Sequence, residues 1–265
     1  MRTISFRYPE GKQKALTLSY DDGQIFDREL VGILNEYNIK GTFHLNSGNF
    51  GKKQFVDATE IKELYKGHEV SVHTLTHPFL TQISNEEIIT EILEDRKNLE
   101  SLAGYPVRGM SYPFGDYNEE LAKMLPALGI EYSRTVVSTH RFGLPSNFLT
   151  WHPTCHHNEN ILEKYKSFKK TLPWEQLTLF YVWGHSFEFE KDKNWDLIKE
   201  FCKTVSFDDS VWYATNIEIM DYIKALRNLK FSVDRKIVQN VSAIDVWISV
   251  DRQPVKIKSG EILYL

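Results

Sequence analysis

Along most of the chain, short apolar runs alternate with longer segments whose apolar residues recur every three or four positions. Residues 15–20 are typical of a buried strand, and residues 27–37 place Leu30, Ile33 and Leu34 on one helical face. Strands that alternate with helices indicate a parallel sheet with helical crossovers, so we predict an α/β fold. The predicted strands cover residues 15–20, 41–46, 69–73, 107–112, 130–137, 148–154 and 177–183. The predicted helices cover residues 27–37, 59–66, 84–103, 119–128, 158–170, 196–204 and 216–228.

The last part of the chain has a different pattern. Residues 230–265 contain apolar runs without helical segments between them, which predicts strands alone. Such a length is short for an independent core, so we expect it to pack on the rest of the chain. We therefore divide the chain into a main α/β domain at residues 1–229 and a small β-rich C-terminal extension at residues 230–265.

Composition and charge narrow the function classes. The net charge is −4 and no basic stripe is present, so nucleic-acid binding is not expected. No run is long and apolar enough to span a membrane, and the start has no signal-peptide core. We expect a cytoplasmic protein without a membrane partner, unless a leader has been removed. Cys155 and Cys202 are too few for a disulfide framework and are predicted to be free thiols. The sequence does not indicate an oligomeric state.

Two adjacent acids, Asp21 and Asp22, follow the first predicted strand and precede Gly23. Neighbouring carboxylates repel each other unless a cation or a shared proton relieves the charge. His73 and His77 follow the third predicted strand. One carboxylate and two imidazoles give three ligands and leave positions open for water, as in catalytic metal sites. We predict one divalent metal ion, with Zn²⁺ favoured over Co²⁺, Ni²⁺ or Mn²⁺.

The same residues indicate hydrolysis. One acid of the pair can bind the metal while the other remains free as a general base for water that the metal has made more acidic. His185 follows the strand predicted at residues 177–183 and suits a general acid near neutral pH. The turn at residues 111–115 can present a backbone N–H to a developing oxyanion.

Four motifs in this order resemble the polysaccharide deacetylase family, which is carbohydrate esterase family 4 or the NodB homology domain. They are Ser-Tyr-Asp-Asp-Gly, His-Thr-Leu-Thr-His, Tyr-Pro-Phe-Gly and Val-Trp-Gly-His. The likeness runs from about residue 14 to about residue 226. It implies a distorted (β/α)7 barrel, to which residues 230–265 add a small β appendage. It also implies a metal-dependent hydrolase that removes acetyl groups from acetylated sugars.

The resemblance also implies a role for each residue at a motif position. These roles are general base for Asp21, metal ligand for Asp22, His73 and His77, general acid for His185, and oxyanion donor for the backbone N–H of Phe114.

The third motif departs from the family pattern. In the family, an Arg three residues before the position of Phe114 orients the base, but here that residue is Ser111. We favour Arg134 over Arg108 as the replacement, because Arg134 lies in another predicted strand and can reach the base from the side.

The fourth family motif, an Asp-Trp element, is not recognisable, and residues 151–157 fall near its place. Tyr112, Trp151 and Trp183 are predicted to line the substrate site. His152, His156 and His157 are expected to hydrogen-bond substrate or to cap the strand, rather than to hold a second metal ion. Residues 187–190 are expected either to line the entrance to the substrate site or to form an exposed loop.

The leading hypothesis is a metal-dependent deacetylase of N-acetylated saccharides. The first alternative keeps the metal site but acts on small cyclic or nitrogen-rich amides. The second alternative is a carbohydrate-binding relative without catalysis. Retention of Asp21 and His185 argues against the second alternative, because binding alone needs no base and acid, whereas the missing Arg argues for it.

Overall fold

A computed structural model describes residues 3–172 and 176–265 of the chain. In this part of the chain, strands and helices largely alternate up to Arg227, and only strands follow. The strands are β1 Ile4–Arg7, β2 Lys14–Asp22, β3 Gly41–Leu45, β4 Glu69–Val72, β5 Gly109–Ser111, β6 Tyr132–Arg134, β7 Cys155–His156, β8 Thr178–His185, β9 Val211–Tyr213, β10 Lys230–Phe231, β11 Ile237–Gln239, β12 Val246–Val250, β13 Gln253–Ile257 and β14 Ile262–Tyr264. The α-helices are α1 Asp27–Glu36, α2 Ile61–Leu64, α3 Asn85–Ala103, α4 Glu119–Met124, α5 Ile161–Lys170, α6 Ser186–Lys191, α7 Trp195–Val205 and α8 Asn216–Arg227.

The main sheet is parallel and centres on β2. Its strands run in the order β6-β5-β4-β3-β2-β8-β7, and β9 also pairs with β2. Every residue of β2 except Asp22 is buried, as expected of a central strand with helices over the sheet. The seven-strand order confirms the predicted distorted (β/α)7 barrel.

A buried polar network closes the barrel near the amino ends of its strands. The carboxylate of Glu69 on β4 accepts hydrogen bonds from the hydroxyls of Thr42 (2.9 Å) and Tyr132 (2.7 Å). It also accepts one from the backbone N–H of Ile217 in α8, at 2.9 Å. A single carboxylate therefore joins β3, β4 and β6 to the start of α8 at the amino end of the barrel.

The C-terminal extension packs against α8. Strand β1 pairs with β12, which pairs with β13, and β10, β11 and β14 form a second small sheet. The hydroxyl of Tyr222 on α8 donates to the carbonyl of Arg7 and accepts from the N–H of Trp247, both at 2.9 Å. The extension thus shares its sheet with the N-terminal strand, and the domain division at residue 229 stays a prediction.

The strand predicted at residues 148–154 is wrong. Phe148–Thr150 forms a 3-10 turn, Trp151 makes a single bridge to Arg134, and the strand that follows is β7. Pro153 has no N–H to donate, so a regular ladder cannot continue through this segment. The short elements α6 and β9 were not predicted, because neither is long enough to show a periodic pattern.

Two sequence expectations concern the whole chain. Cys155 and Cys202 are both buried and free, as predicted. In the described part of the chain, none of the α-helices combines the length and the apolar character needed to cross a lipid bilayer.

We expect Glu69→Gln to weaken the dependence of stability on pH. Burial raises the pKa of Glu69 from 4.5 to about 7. The folded state therefore holds this proton more tightly than the unfolded state does. Its contribution to stability is complete below the unfolded pKa and is lost as the pH rises through the folded value. Urea unfolding from about pH 5 to about pH 8 should show a smaller loss of unfolding free energy in the variant.

The control for this experiment is Glu94→Gln, whose side chain is 48% exposed on α3. It should keep the wild-type pH dependence. If the unfolding free energies of Glu69→Gln and the wild type change equally with pH, Glu69 does not bind its proton more tightly in the folded state.

Candidate active site

The predicted site residues gather at the carboxyl edge of the main sheet. Asp21 and Asp22 end β2, and His73 directly follows β4. Arg134 ends β6, and His185 ends β8. Parallel strands bring their carboxyl ends to one edge, which is where α/β barrels carry their sites.

Asp22, His73 and His77 form a group that we call the primary donor set. Their ligand atoms all lie within 4.8 Å of one another. Asp22 Oδ1 is 3.6 Å from His73 Nε2 and 3.6 Å from His77 Nε2. Such separations fit around one cation with bonds of about 2.0–2.2 Å to nitrogen and oxygen. The three side chains can therefore hold a divalent ion and leave coordination positions open.

The backbone around the primary donor set is bent into the left-handed region. The residues concerned are Asp22 (φ 81°), Thr74 (φ 68°), His77 (φ 63°) and Phe114 (φ 57°). Such conformations are uncommon outside glycine and persist where the surrounding structure enforces them. At Asp22 the bend interrupts the strand alternation, so Asp21 and Asp22 can be aimed at different partners.

Neighbouring groups fix the orientation of His73. Its Nδ1 lies 2.7 Å from Ser111 Oγ and 3.0 Å from the Ser111 carbonyl, which directs Nε2 towards Asp22. Its backbone N–H donates to Asp95 Oδ2 at 3.1 Å. Burial lowers the pKa of His73 to about 4. The imidazole is therefore neutral at neutral pH, as a metal ligand must be.

Asp21 is held by a buried guanidinium. Arg134 Nη2 donates to Asp21 Oδ2, and Ser111 Oγ donates to Asp21 Oδ1 at 3.2 Å. Burial alone would raise the pKa of Asp21, but Arg134 and then His73 lower it well below its ordinary value. Asp21 is thus an ionised acceptor at neutral pH. The Arg134 guanidinium also lies 4.5 Å from the ring of Trp183.

Arg108, the other candidate partner of Asp21, lies elsewhere. Its guanidinium donates to Glu131 at 3.0 Å and to Asp221 at 2.9 Å. These contacts join the loop before β5 to α8, on the side away from the donor set. The structure therefore brings Arg134, not Arg108, to Asp21.

His185 faces the same edge from the other side of β2. Its Nδ1 lies 3.3 Å from Glu188 Oε2, and its side chain is 22% exposed. Burial lowers the pKa of His185, but Glu188 and Asp21 raise it, and the pKa is raised overall. A protonated His185 at the mouth of the site can donate a proton to a departing group.

Phe114 lies at the tip of the turn after β5, with its side chain 53% exposed. Its ring is stacked on that of Phe79, with centroids 3.9 Å apart and planes at 11°. The ring of His77 meets Phe114 edge-on at 4.3 Å. The aromatic pair Phe79–Phe114 therefore forms an exposed apolar surface directly beside the primary donor set.

The substrate-binding prediction fails for Tyr112 and Trp151. Both side chains are almost completely buried. The Tyr112 hydroxyl donates to the Leu149 carbonyl at 2.7 Å, and Trp151 packs edge-on against Tyr181. Their rings fill the core below the site instead of lining it. Trp183 is half-buried beside the site, and its predicted contact with substrate stays a prediction.

Three residues near the site were missed by sequence reasoning. They are His44, which is fully buried and pairs in register with Asp21, Asp95 behind His73, and Phe79. A signal was present for Asp95, because it shares the apolar face of α3 with Ile88 and Ile92. An acid on that face is costly unless it has buried partners. No sequence pattern pointed to Phe79, because its place beside the site depends on its stacking against Phe114.

Comparison with known proteins shows which family and which solved structures this chain resembles. The sequence model of the polysaccharide deacetylase family matches residues 8–133, which confirms the resemblance seen in the sequence motifs. Chitin deacetylase 1 of Cryptococcus neoformans is 32% identical over 114 residues, which are 43% of this chain and 24% of that protein. The peptidoglycan-N-acetylmuramic acid deacetylase PdaC of Bacillus subtilis is 29% identical over 43% of this chain and 24% of its own. The chain thus spans about a quarter of the length of these relatives.

Solved structures share the fold over a longer stretch. A structure from Mycobacterium smegmatis, assigned provisionally as a polysaccharide deacetylase, superposes with a TM-score of 0.63. It covers 85% of this chain and 95% of its own, at 18% identity. The structure of PdaC from Bacillus subtilis gives a TM-score of 0.56 over 81% of this chain and 93% of its own, at 17% identity. At such identities the likeness establishes the barrel fold.

We expect His77→Ala to lower the metal content by about one ion per chain, because it removes one of three ligands. The side chain of His77 is 22% exposed, so its loss should leave the core intact. Metal analysis after zinc loading and desalting measures the change. Asp21→Asn is the matched control, since Asp21 belongs to the same edge but lies outside the primary donor set. Equal zinc content in His77→Ala and the wild type would contradict this assignment.

Proposed function

We propose that this protein is a metal-dependent hydrolase that removes acetyl groups from N-acetylated saccharides. The observation that carries the proposal is the pairing of a three-ligand donor set with a separate carboxylate, Asp21, at one edge of the sheet. Asp21 Oδ2 lies 3.9 Å from His73 Nε2, so a base stands beside the ligands without being one of them. This arrangement provides both a metal position and a proton acceptor for water.

The primary donor set would hold the divalent ion, preferably zinc, and a bound ion polarises a carbonyl group and acidifies water. Asp21 accepts the proton of the attacking water, and Arg134 keeps this carboxylate ionised and oriented. His185 donates a proton to the leaving amine, for which its raised pKa is favourable. Each step uses a residue that the fold places at the carboxyl edge.

The oxyanion that forms during acyl transfer needs a hydrogen-bond donor. The backbone N–H of Phe114 is the candidate, because Phe114 sits at the tip of a tight turn directly after β5. Its left-handed backbone conformation, with φ at 57°, supports a specialised role for this turn. The turn also places the Phe114 ring next to His77, so the N–H belongs to the same mouth as the donor set.

The substrate class is proposed from the exposed surface beside the donor set. The stacked rings of Phe79 and Phe114 are exposed and offer an apolar platform against which a sugar ring can pack. A saccharide seated there would bring an acetyl group next to the primary donor set. A small cyclic amide needs no such platform, so the saccharide is favoured over that alternative.

Acetate release tests the reaction. We expect Asp21→Asn to lower the rate on N-acetylated oligosaccharides by about a hundredfold to ten-thousandfold, because the proton acceptor is lost. The zinc content should stay at the wild-type level. Glu119→Gln, which changes a carboxylate that is 90% exposed on α4, should keep full activity. Undiminished acetate release in Asp21→Asn would exclude Asp21 as the base.

The same assay separates the candidate substrates. The wild type should release acetate from N-acetylated oligosaccharides and leave small cyclic amides intact. Hydrolysis of cyclic amides together with inert acetylated sugars would favour the amide alternative. Saccharide binding without any hydrolysis by the zinc-loaded protein would favour the non-catalytic one.

We expect Phe79→Ala to raise KM about tenfold with little change in kcat, because the platform loses one of its two rings. Steady-state kinetics on an N-acetylated oligosaccharide measures both constants. Phe207→Ala is the control, since Phe207 is 77% exposed in the loop between α7 and β9. A lower kcat at constant KM in Phe79→Ala would place Phe79 in the chemical step rather than in saccharide binding.

A further inference from the structure

A second group of ligand-type side chains lies at the ends of β7 and β8. His156, His157 and Glu188 each offer one ligand atom, and these atoms lie within 4.8 Å of one another. Glu188 Oε2 is 3.0 Å from His156 Nε2 and 3.4 Å from His157 Nε2. We call these three residues the second donor set. The reaction proposed above assigns no role to either histidine.

The fold builds this set from two chain segments. His156 ends β7, and the backbone N–H of His157 continues the pairing by donating to the Trp183 carbonyl at 2.9 Å. Glu188 lies in the first turn of α6, and its Oε2 accepts the backbone N–H of His185 at 2.9 Å. The carboxylate is therefore anchored by the main chain, and both imidazoles reach it from the neighbouring strand.

Gly184 makes room for His157. A Cβ at this position would lie 2.0 Å from His157 Nδ1, a distance that no side chain tolerates. On its other side, the His157 ring is stacked on Phe189, with centroids 4.2 Å apart and planes at 23°. The imidazole is thus held between a glycine and an aromatic ring, and its Nε2 faces Glu188.

The hydrogen bonds of the two histidines differ. His156 Nδ1 accepts the N–H of Asn158 at 3.2 Å, so its Nε2–H can donate to Glu188. His157 is completely buried, and among the described residues neither of its ring nitrogens has a hydrogen-bond partner. Burial of an unpaired polar group costs about 1–3 kcal/mol. The ring nitrogens of His156 therefore have partners, whereas those of His157 are buried without a hydrogen bond to any described residue.

We propose that His156, His157 and Glu188 form a second metal site, which takes Zn²⁺ or a similar divalent transition-metal ion. Two imidazoles and one carboxylate are the ligands that such ions prefer, and the separations around Glu188 Oε2 fit a tetrahedral arrangement. The ion gives His157 Nε2 the partner it lacks. Binding requires the proton of His156 to sit on Nδ1, so the contact with the Asn158 N–H opens.

The second site is distinct from the primary donor set but adjoins the same catalytic edge. Glu188 Oε2 lies 3.3 Å from His185 Nδ1 as well, so one carboxylate oxygen serves both the second donor set and the proposed acid. A cation bound to Glu188 would reduce the negative charge that this carboxylate presents to His185. The proposal does not depend on the deacetylase activity, since it rests on the second donor set alone.

Zinc stoichiometry in single and double variants tests the site. The full chain is stripped with a chelator, loaded with Zn²⁺, desalted and analysed for metal. The wild type should hold about two ions per chain, and His77→Ala and His156→Ala about one each. The double variant should hold none. Glu188→Gln, which keeps the size of the side chain, should behave as His156→Ala does. His140→Ala is the control, because it removes a histidine that is 56% exposed.

Thermal unfolding gives a readout that does not depend on activity. Zn²⁺ should raise the Tm of His77→Ala, since its remaining site binds only the folded state. It should not raise the Tm of the double variant. One ion in the wild type, lost in His77→Ala and kept in His156→Ala, would overturn the second site while supporting the primary one. One ion in the wild type that is kept in His77→Ala and lost in His156→Ala would support the second site and refute the primary one.

Discussion

Two adjacent carboxylates at the end of a buried strand impose the constraint on which this structure depends. Asp21 is 3% exposed, and a buried charge without a partner costs several kcal/mol. The fold meets this cost by giving each acid its own partners. Arg134 and Ser111 compensate Asp21, whereas Asp22 turns towards two imidazoles that can share a cation with it. The proposed division between a proton acceptor, Asp21, and a metal ligand, Asp22, rests on this separation of partners.

Curvature of the sheet makes the first pairing possible. Strand β6 is four places from β2 in the sheet, which in a flat sheet would separate them by about 19 Å. Arg134 on β6 nevertheless contacts Asp21 on β2, so the sheet must curl until its far strand faces its centre. At the opposite end of the barrel, the network around Glu69 joins β6 to β3 and β4. The buried polar network around Glu69 and the candidate site therefore lie at opposite ends of the same curved sheet.

Much of the site was visible in the sequence because the relevant residues follow strands. A buried strand that ends in acids, and another that ends near two histidines, must meet at one edge of a parallel sheet. That reasoning found Asp21, Asp22, His73 and His77 without any long-range information. It failed for Tyr112 and Trp151, since an aromatic residue after a strand can point into the core as easily as into a site. The second metal site that we propose at His156, His157 and Glu188 was not expected from the sequence either.

The sequence by itself determined the alternation of strands and helices, the ligand types and their order, because these depend on local patterns and on the chemistry of single residues. It left Arg134 and Arg108 as competitors, since both adjoin strands and both carry the same charge. Only the tertiary structure decided between them, because the curl of the sheet sets which guanidinium reaches Asp21. It likewise decided that Phe79 stacks on Phe114 and that His157 is buried beside Gly184. Such contacts join distant segments, and no local pattern records them.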